Sequence, residues 1–241
     1  NQDFVVNWKN GPEDKTRGKK TFQNYYLKPY VSWSYIAQNT IATRFYPKGF
    51  LWDVAGSGIF DKSEMLYYLQ ALIGSKVGIY FLSALNPTVN FQVENILQLP
   101  ILESKNYKSI IDSIVQDSNN LSKLDWDSFE NSWDFAKHHL LPVNIDYKEA
   151  ADNSIIISDC YTKWEKECSE RFATLKSNEE ELNRIFIEIY GLQDELTPEV
   201  LDELSNVTSG VPPVIGPTPN LIGCLQAMEA FKIITGVGKV T

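Results

Sequence analysis

His138 and His139 stand side by side and are the two histidines of the 241-residue sequence, so they are the first place to look for acid–base chemistry. An imidazole working near neutral pH needs a second group at hydrogen-bond distance to orient it. Asp53 and Glu130 are the carboxylates that would serve a free-standing enzyme, but no spacing in the sequence brings them to the histidines. Cys160, Cys168 and Cys224 complete the set of nucleophiles and metal ligands. They are odd in number, show no Cys-x-x-Cys spacing and lie far from the histidine pair, whereas zinc sites gather their ligands at short intervals. Free thiols and no metal are expected.

A second kind of chemistry is carried by cations, amides and aromatics. Lys28, Arg44 and Lys48 can meet phosphates, and a guanidinium such as Arg44 can also pair with guanine through two bonds. Trp33 and Tyr46 can stack on or wedge beside bases, and the carboxamides of Asn90 and Gln92 have the geometry to read adenine. The cations and aromatics among them fall in the positive part of an acidic chain, with Asn90 and Gln92 just beyond it. The net charge is −9, yet residues 1–60 carry eight Lys/Arg against four Asp/Glu. Residues 103–205 carry ten basic against twenty-three acidic groups. A duplex would be drawn to the front of the chain and repelled by its middle.

The elements that would hold these groups follow from periodicity. Aromatic and β-branched runs from Tyr30 to Phe60, broken by Pro47-Lys48-Gly49 and by Gly56-Ser57-Gly58, predict an antiparallel meander. Asp61 and Glu64 resemble a capping box before one helix bearing Leu66, Leu69, Ile73, Val77 and Tyr80 on its core face, ending near Asn86-Pro87. Alternating Val89, Phe91 and Val93 predict a short strand. Residues 104–205 read as helix, with Trp126, Phe129 and Trp133 on one stripe after a cap at Asp125. A helical hairpin follows: Trp164, Cys168, Phe172 and Leu175, a break at Ser177-Asn178, then Leu182, Ile185, Phe186 and Ile189 up to Gly191. The fold class expected is α+β, with a recognition module at 1–102, an acidic helical region at 103–205 and a separate tail at 206–241. A Pro/Gly-rich linker precedes a final tail helix, Leu221 to Ile234.

The stretch "VSWSYIAQNTIATRFYPKGFLWDVAGSGIF" resembles the target-recognition region of adenine-specific DNA methyltransferases of the bacteriophage-exclusion (BREX) type, the PglX family, with type IIG restriction–modification enzymes as relatives. "YYLQALIGSKVGIYFLSALNPTVNFQVENILQLPI", "WDSFENSWDF" and "NEEELNRIFIEIYGLQDELTPEV" resemble later parts of the same family in the same order. The resemblance implies transfer of a methyl group from S-adenosylmethionine to the amine of an adenine flipped out of a double-stranded DNA target. The family's Asn-Pro-Pro-Tyr type motif is not in this sequence: Asn86-Pro87-Thr88 lacks the second proline and the aromatic. No glycine-rich strand-to-helix turn offers a cofactor site either. No catalytic or cofactor-binding residue is therefore assigned to this chain, and its start reads as a cut edge. Partners implied by the resemblance are duplex DNA, an N-terminal methyltransferase domain and other phage-defence proteins. The alternative from the charge pattern is a non-catalytic module that docks partner proteins through its acidic helices.

The tail "GVPPVIGPTPNLIGCLQAMEAFKIITGVGK" instead resembles the C-terminal helix region of ThiF/MoeB-type adenylyltransferases, without their ATP-binding loop, aspartate or zinc cysteines. A join of unrelated segments near 205–210 is expected, with a loosely packed tail. Absence of an apolar run near the length of a membrane span predicts a cytoplasmic protein with no membrane partner.

Overall fold

The computed structural model describes residues 20–37, 41–52, 56–60, 64–86, 88–141 and 157–200. After a 3-10 turn over Lys20–Tyr25 come strands β1 (Tyr30–Trp33), β2 (Thr43–Tyr46) and β3 (Gly58–Ile59). Helices α1 (Leu66–Gly74), α2 (Lys76–Leu85), α3 (Val93–Leu97), α4 (Lys105–Trp126) and α5 (Ile157–Tyr190) follow. A small antiparallel sheet leading into helices is the α+β class expected from the sequence. The described residues form two compact units, one drawn from 20–117 and 178–200, the other from 118–141 and 157–177. Asp53, Asp61, Pro87, Cys224 and the tail with its expected helix lie outside the described residues.

The sheet order is β2-β1-β3, so the first strand is central and the chain does not simply meander. The residues explain the choice. All four residues of β1 are buried, and only a central strand can cover both its faces. β2 carries the exposed Arg44, which an edge strand tolerates. Pairing of Tyr30 with Tyr46, and of Ser32 with both Arg44 and Gly58, puts these residues on one face. Val31, Trp33, Phe45 and Ile59 point the other way, where Phe45 meets Tyr67 of α1 with ring centroids 5.2 Å apart.

The single helix expected after β3 is two. It begins at Leu66 with Met65 as N-cap, and Glu64 precedes it in left-handed backbone (φ 59°), so Glu64 does not close a capping box. The helix then breaks at Ser75 and turns by 70°. Ser75 stabilises the break on both sides: its hydroxyl donates to the Leu72 carbonyl (2.8 Å) and accepts from the Gly78 N–H (3.2 Å). The bend shifts the buried stripe of α2 to Val77, Gly78 and Leu82, and leaves Tyr80 exposed rather than in the core. Among the described residues no single helix is long and apolar enough to cross a membrane; α1 and α2 approach that composition only as this bent pair.

Two cores hold the larger unit. In one, Tyr68, Ala71, Leu72 and Val77 pack with Ile111 and Val115 of α4 and with Leu182, Ile185 and Phe186 of α5. Tyr68 and Phe186 meet edge to face at 5.3 Å. In the other, Trp33, Ile41, Ile73, Leu82, Phe91 and Leu99 close the space under the sheet. The strand expected over Val89–Val93 is reduced to one bridge between Ile36 and Asn90, after which α3 begins. Phe91 goes into the core while Val89 and Val93 stay exposed, so the alternation reflects a single buried anchor.

The break expected at Ser177-Asn178 is absent, and α5 runs unbroken for 34 residues. Asn178 does not turn on its own backbone; its amide donates to Asp117 of α4 at 2.9 Å. The stop at Gly191 is as read: its φ of 66° lets Gly191 N–H reach the Glu188 carbonyl (3.2 Å) and Leu192 N–H the Ile187 carbonyl (3.0 Å). Asn183, 1% exposed, accepts from the Lys76 N–H (2.9 Å) and donates to the Pro198 carbonyl (3.2 Å), tying α2 and the 192–200 strap to α5. In the smaller unit, α4 ends at Trp126 and the chain continues in turns. Asp125 is therefore near the end of a helix rather than capping one, and Trp133 is 66% exposed rather than on a core stripe.

Burial near the start of α2 also sets a pH dependence. Glu179 is pushed up to about 7 by desolvation, which nearby Lys76 only partly offsets. A carboxyl raised in the folded state favours folding while it is protonated in both states. That contribution is lost as pH rises from its ordinary value of 4.5 through 7. Glu179→Gln should thus gain stability over the parent across that interval by on the order of 2 kcal/mol and hold the gain above it. Urea titrations of both proteins at pH 5 and pH 8 check this; a difference that does not change with pH would refute it.

Candidate nucleic-acid interface

The sheet face turned away from α1 is paved with aromatic rings. Tyr30 stacks on Tyr46 with centroids 4.8 Å apart and planes 9° from parallel. Trp52 and Phe60 pack against Tyr30 and each other, Tyr26 meets Trp52 edge on, and Phe50 leans on Tyr46. The Tyr30 hydroxyl donates to the Leu51 carbonyl at 3.1 Å, which pins the segment after the β2 turn over this face. Gly58 is needed here, since a Cβ would stand 2.8 Å from the Tyr30 ring. Only Tyr30 of the group is fully buried; Tyr26, Tyr46, Phe50, Trp52 and Phe60 are half-buried.

The cations sit around this face. Arg44 is exposed on β2, in register with Ser32 and on the side of Tyr46. Lys48 is exposed in the turn between Tyr46 and Phe50, where Gly49 takes a φ of 112°. The Gly49 N–H donates to the Leu27 carbonyl at 3.0 Å, which brings that turn beside Lys28. Lys28 is itself exposed, with its ammonium 5.8 Å from the Tyr25 ring centroid. Among the described residues none of these three cations makes an ion pair. Lys108, Lys123, Lys163, Lys166, Arg171 and Arg184 of the acidic helices, by contrast, each lie against a carboxylate.

The seven residues nominated from the sequence do not form one patch. Lys28, Arg44, Tyr46 and Lys48 gather at the β2 edge and its turn. Asn90 and Gln92 are exposed at the other end of β1, where Asn90 bridges to Ile36. Six residues of extended chain separate these ends, up to about 20 Å. Trp33 belongs to neither group. It is 5% exposed and its indole N–H donates to the Phe91 carbonyl at 2.8 Å, so it anchors the core and is not open to a base. By strand alternation Trp33 faces α1, because Tyr30 and Ser32 take the outer face. Tyr25, Tyr26, Phe50, Trp52 and Phe60 flank the strands in sequence, and only the fold gathers their rings around Tyr30 and Tyr46.

The histidines, Glu130 and the cysteines lie apart from this face in sequence. His139 lies parallel to Trp164 (5.6 Å, 6°) and His138 meets the same ring edge on, so the pair clasps one indole. Burial holds His139 below its ordinary value, with Glu167 pulling the other way. Glu130 is exposed, and no described contact joins it to the histidines. Cys160 and Cys168 are not in a disulfide among the described residues, and Cys168 accepts from Arg171 at 3.1 Å. No grouping of potential metal ligands occurs among the described residues.

The described residues thus combine an aromatic sheet face with the exposed cations Lys28, Arg44 and Lys48 at its edge. No protein-family model matches the chain. It is homologous to a segment of adenine-specific methyltransferases of the BREX-type PglX family. It is 36% identical over 212 residues to the adenine-specific methyltransferase PglX of Lacticaseibacillus casei (strain Zhang), covering 83% of this chain and 17% of that protein. It is 26% identical over 204 residues to the adenine-specific methyltransferase BrxX of Escherichia coli O9:H4 (strain HS), covering 82% of this chain and 16% of that protein. The chain thus spans about one sixth of the length of these relatives.

Proposed function

We propose that this chain is the DNA-reading portion of a site-specific adenine methyltransferase of phage defence, with residues 20–102 on the duplex. Methyl transfer from S-adenosylmethionine to the adenine amine is then the work of a methyltransferase domain elsewhere in the enzyme, and that domain and other defence proteins are its partners. The observation that supports this best is the set of exposed cations, Lys28, Arg44 and Lys48, which make no ion pair among the described residues, around the aromatic face of a molecule of net charge −9. Phosphates need positive charge that no carboxylate already neutralises. The acidic helices take no part in DNA binding on this reading, because their negative charge disfavours the approach of a duplex.

Titration of a labelled duplex at increasing salt tests this reading. Affinity is expected to fall steeply with salt. Replacing Lys28, Arg44 and Lys48 together by alanine should weaken binding to all duplexes and reduce the log–log salt slope by about 2 to 3, close to 0.9 for each phosphate the variant no longer neutralises. No salt-dependent binding, or an unchanged slope in the triple variant, would contradict it and leave the acidic helices as a protein-docking surface.

A further inference from the structure

The end of β1 remote from the cations carries a loop whose backbone is tied down and whose Phe91 is buried, while Val89, Asn90 and Gln92 are exposed. Asn86, 8% exposed, closes α2 and organises the loop over Thr88 to Asn90. Its Oδ1 accepts from the Thr88 N–H (3.1 Å) and the Thr88 hydroxyl (2.7 Å), and its Nδ2 donates to the Asn90 carbonyl (2.7 Å). The Asn90 N–H donates back to the Thr88 hydroxyl at 3.4 Å. On either side, Ala37 N–H donates to the Val89 carbonyl (2.9 Å) and Phe91 N–H to the Tyr35 carbonyl (2.7 Å), while Trp33 holds the Phe91 carbonyl. The Gln92 N–H donates to Asn95 Oδ1 at 2.8 Å. From Thr88 to Gln92 the main chain is thus committed to internal bonds, yet Val89 is 45% exposed and Asn90 is exposed beside it. The Asn90 carboxamide makes no hydrogen bond with any described residue.

We infer that residues 88–92 form a pre-locked base-reading loop, with Asn90 and Val89 recognising an A·T pair in the major groove and Asn86 as the positioning residue. This rests on the DNA-reading function proposed above and names the feature of the target that the loop reads. A carboxamide can both accept from the adenine amine and donate to N7, a pattern that no other base presents in that groove. The adjoining valine supplies an apolar surface for a thymine methyl group. Fixing the loop before binding removes the ordering cost that a mobile loop would bear on contact. Asn86 touches no base; it acts by holding the Asn90 carbonyl and Thr88 in place.

Selection of bound duplexes from a randomised pool, followed by titration of the best sequence and its single-pair variants, tests the assignment with the full 241-residue chain. Asn90→Ala should lower discrimination at one A·T position about tenfold while leaving the salt slope and affinity for random duplex unchanged. Asn86→Ala should lower discrimination at the same position, a readout that general loss of stability would not confine to one base pair. Val89→Ala should weaken preference at that pair and at no other. The inference is overturned if Asn90→Ala leaves every position as selective as before, or if Asn86→Ala changes a different position. Failure of the DNA-reading function itself looks different, because then the parent chain selects no sequence and binds no duplex.

Discussion

Gly78→Ala should destabilise the protein by about 3 kcal/mol or more, against the ordinary rule that alanine in a helix is better than glycine by about 0.5–1 kcal/mol. Gly78 sits in the first turn of α2, directly after the 70° bend. A Cβ there would drive into the Leu72 carbonyl oxygen and stand 2.9 Å from the Ile73 carbonyl oxygen. Both obstacles are backbone of the preceding helix, so neither can swing aside as a side chain would. Relief means opening the bend, which disturbs Leu72, Ile73 and Val77 in the two cores. Gly191→Ala is the control: nothing lies within 4 Å of its Cβ, and only its φ of 66° is costly. That change should cost about 1 kcal/mol. Denaturant titrations of the two variants separate the cases, and a neutral or stabilising Gly78→Ala would show that α1 and α2 are not bent as described.

Trp33→Ala is the second large effect, about 3–5 kcal/mol, and it should appear in stability rather than in DNA contact. The indole fills the space among Ile41, Ile73, Leu82, Phe91 and Leu99, so its removal leaves a cavity beneath the sheet. It also strips the Phe91 carbonyl of its donor in a buried setting, which carries a further penalty. Trp33→Phe should recover most of the packing and leave only the missing donor, a loss of about 1–2 kcal/mol. Melting curves for both variants decide this. If Trp33→Ala melts like the parent while duplex affinity falls, the ring is a base-stacking platform after all.

How far the sequence foretells the molecule depends on whether local pattern or long-range contact decides. The strands around Val31 and Phe45, the stop at Gly191 and the stripe through Trp164, Cys168, Phe172 and Leu175, of which Phe172 is half-buried, are local, and period or backbone chemistry declares them. The sheet order is not local: β1 becomes central only because both its faces find cover, one from α1 and one from the aromatic cluster. The bend at Ser75 is hidden for a related reason. Ser75 interrupts a run that is apolar nearly all round, so periodicity cannot tell a broken buried helix from a continuous one. At Ser177-Asn178 the opposite happens, because a good cap signal is overridden by the bond from Asn178 to Asp117. Lys28, Arg44 and Lys48 are exposed as their charge leads one to expect, since exposure is the usual state of cations. Trp33 and Tyr46 look alike in sequence, and only the strand's facing separates a core anchor from a half-buried surface ring.

Photo-crosslinking of the chain to a duplex carrying bromouracil, with the joined peptides mapped, tests the central claim most directly. Crosslinks are expected within 25–52 and 88–92, with none in α4 or α5, and they should be lost at high salt. Crosslinks confined to 105–126 or 157–190, or a yield no higher than that of a neutral control protein, would contradict it.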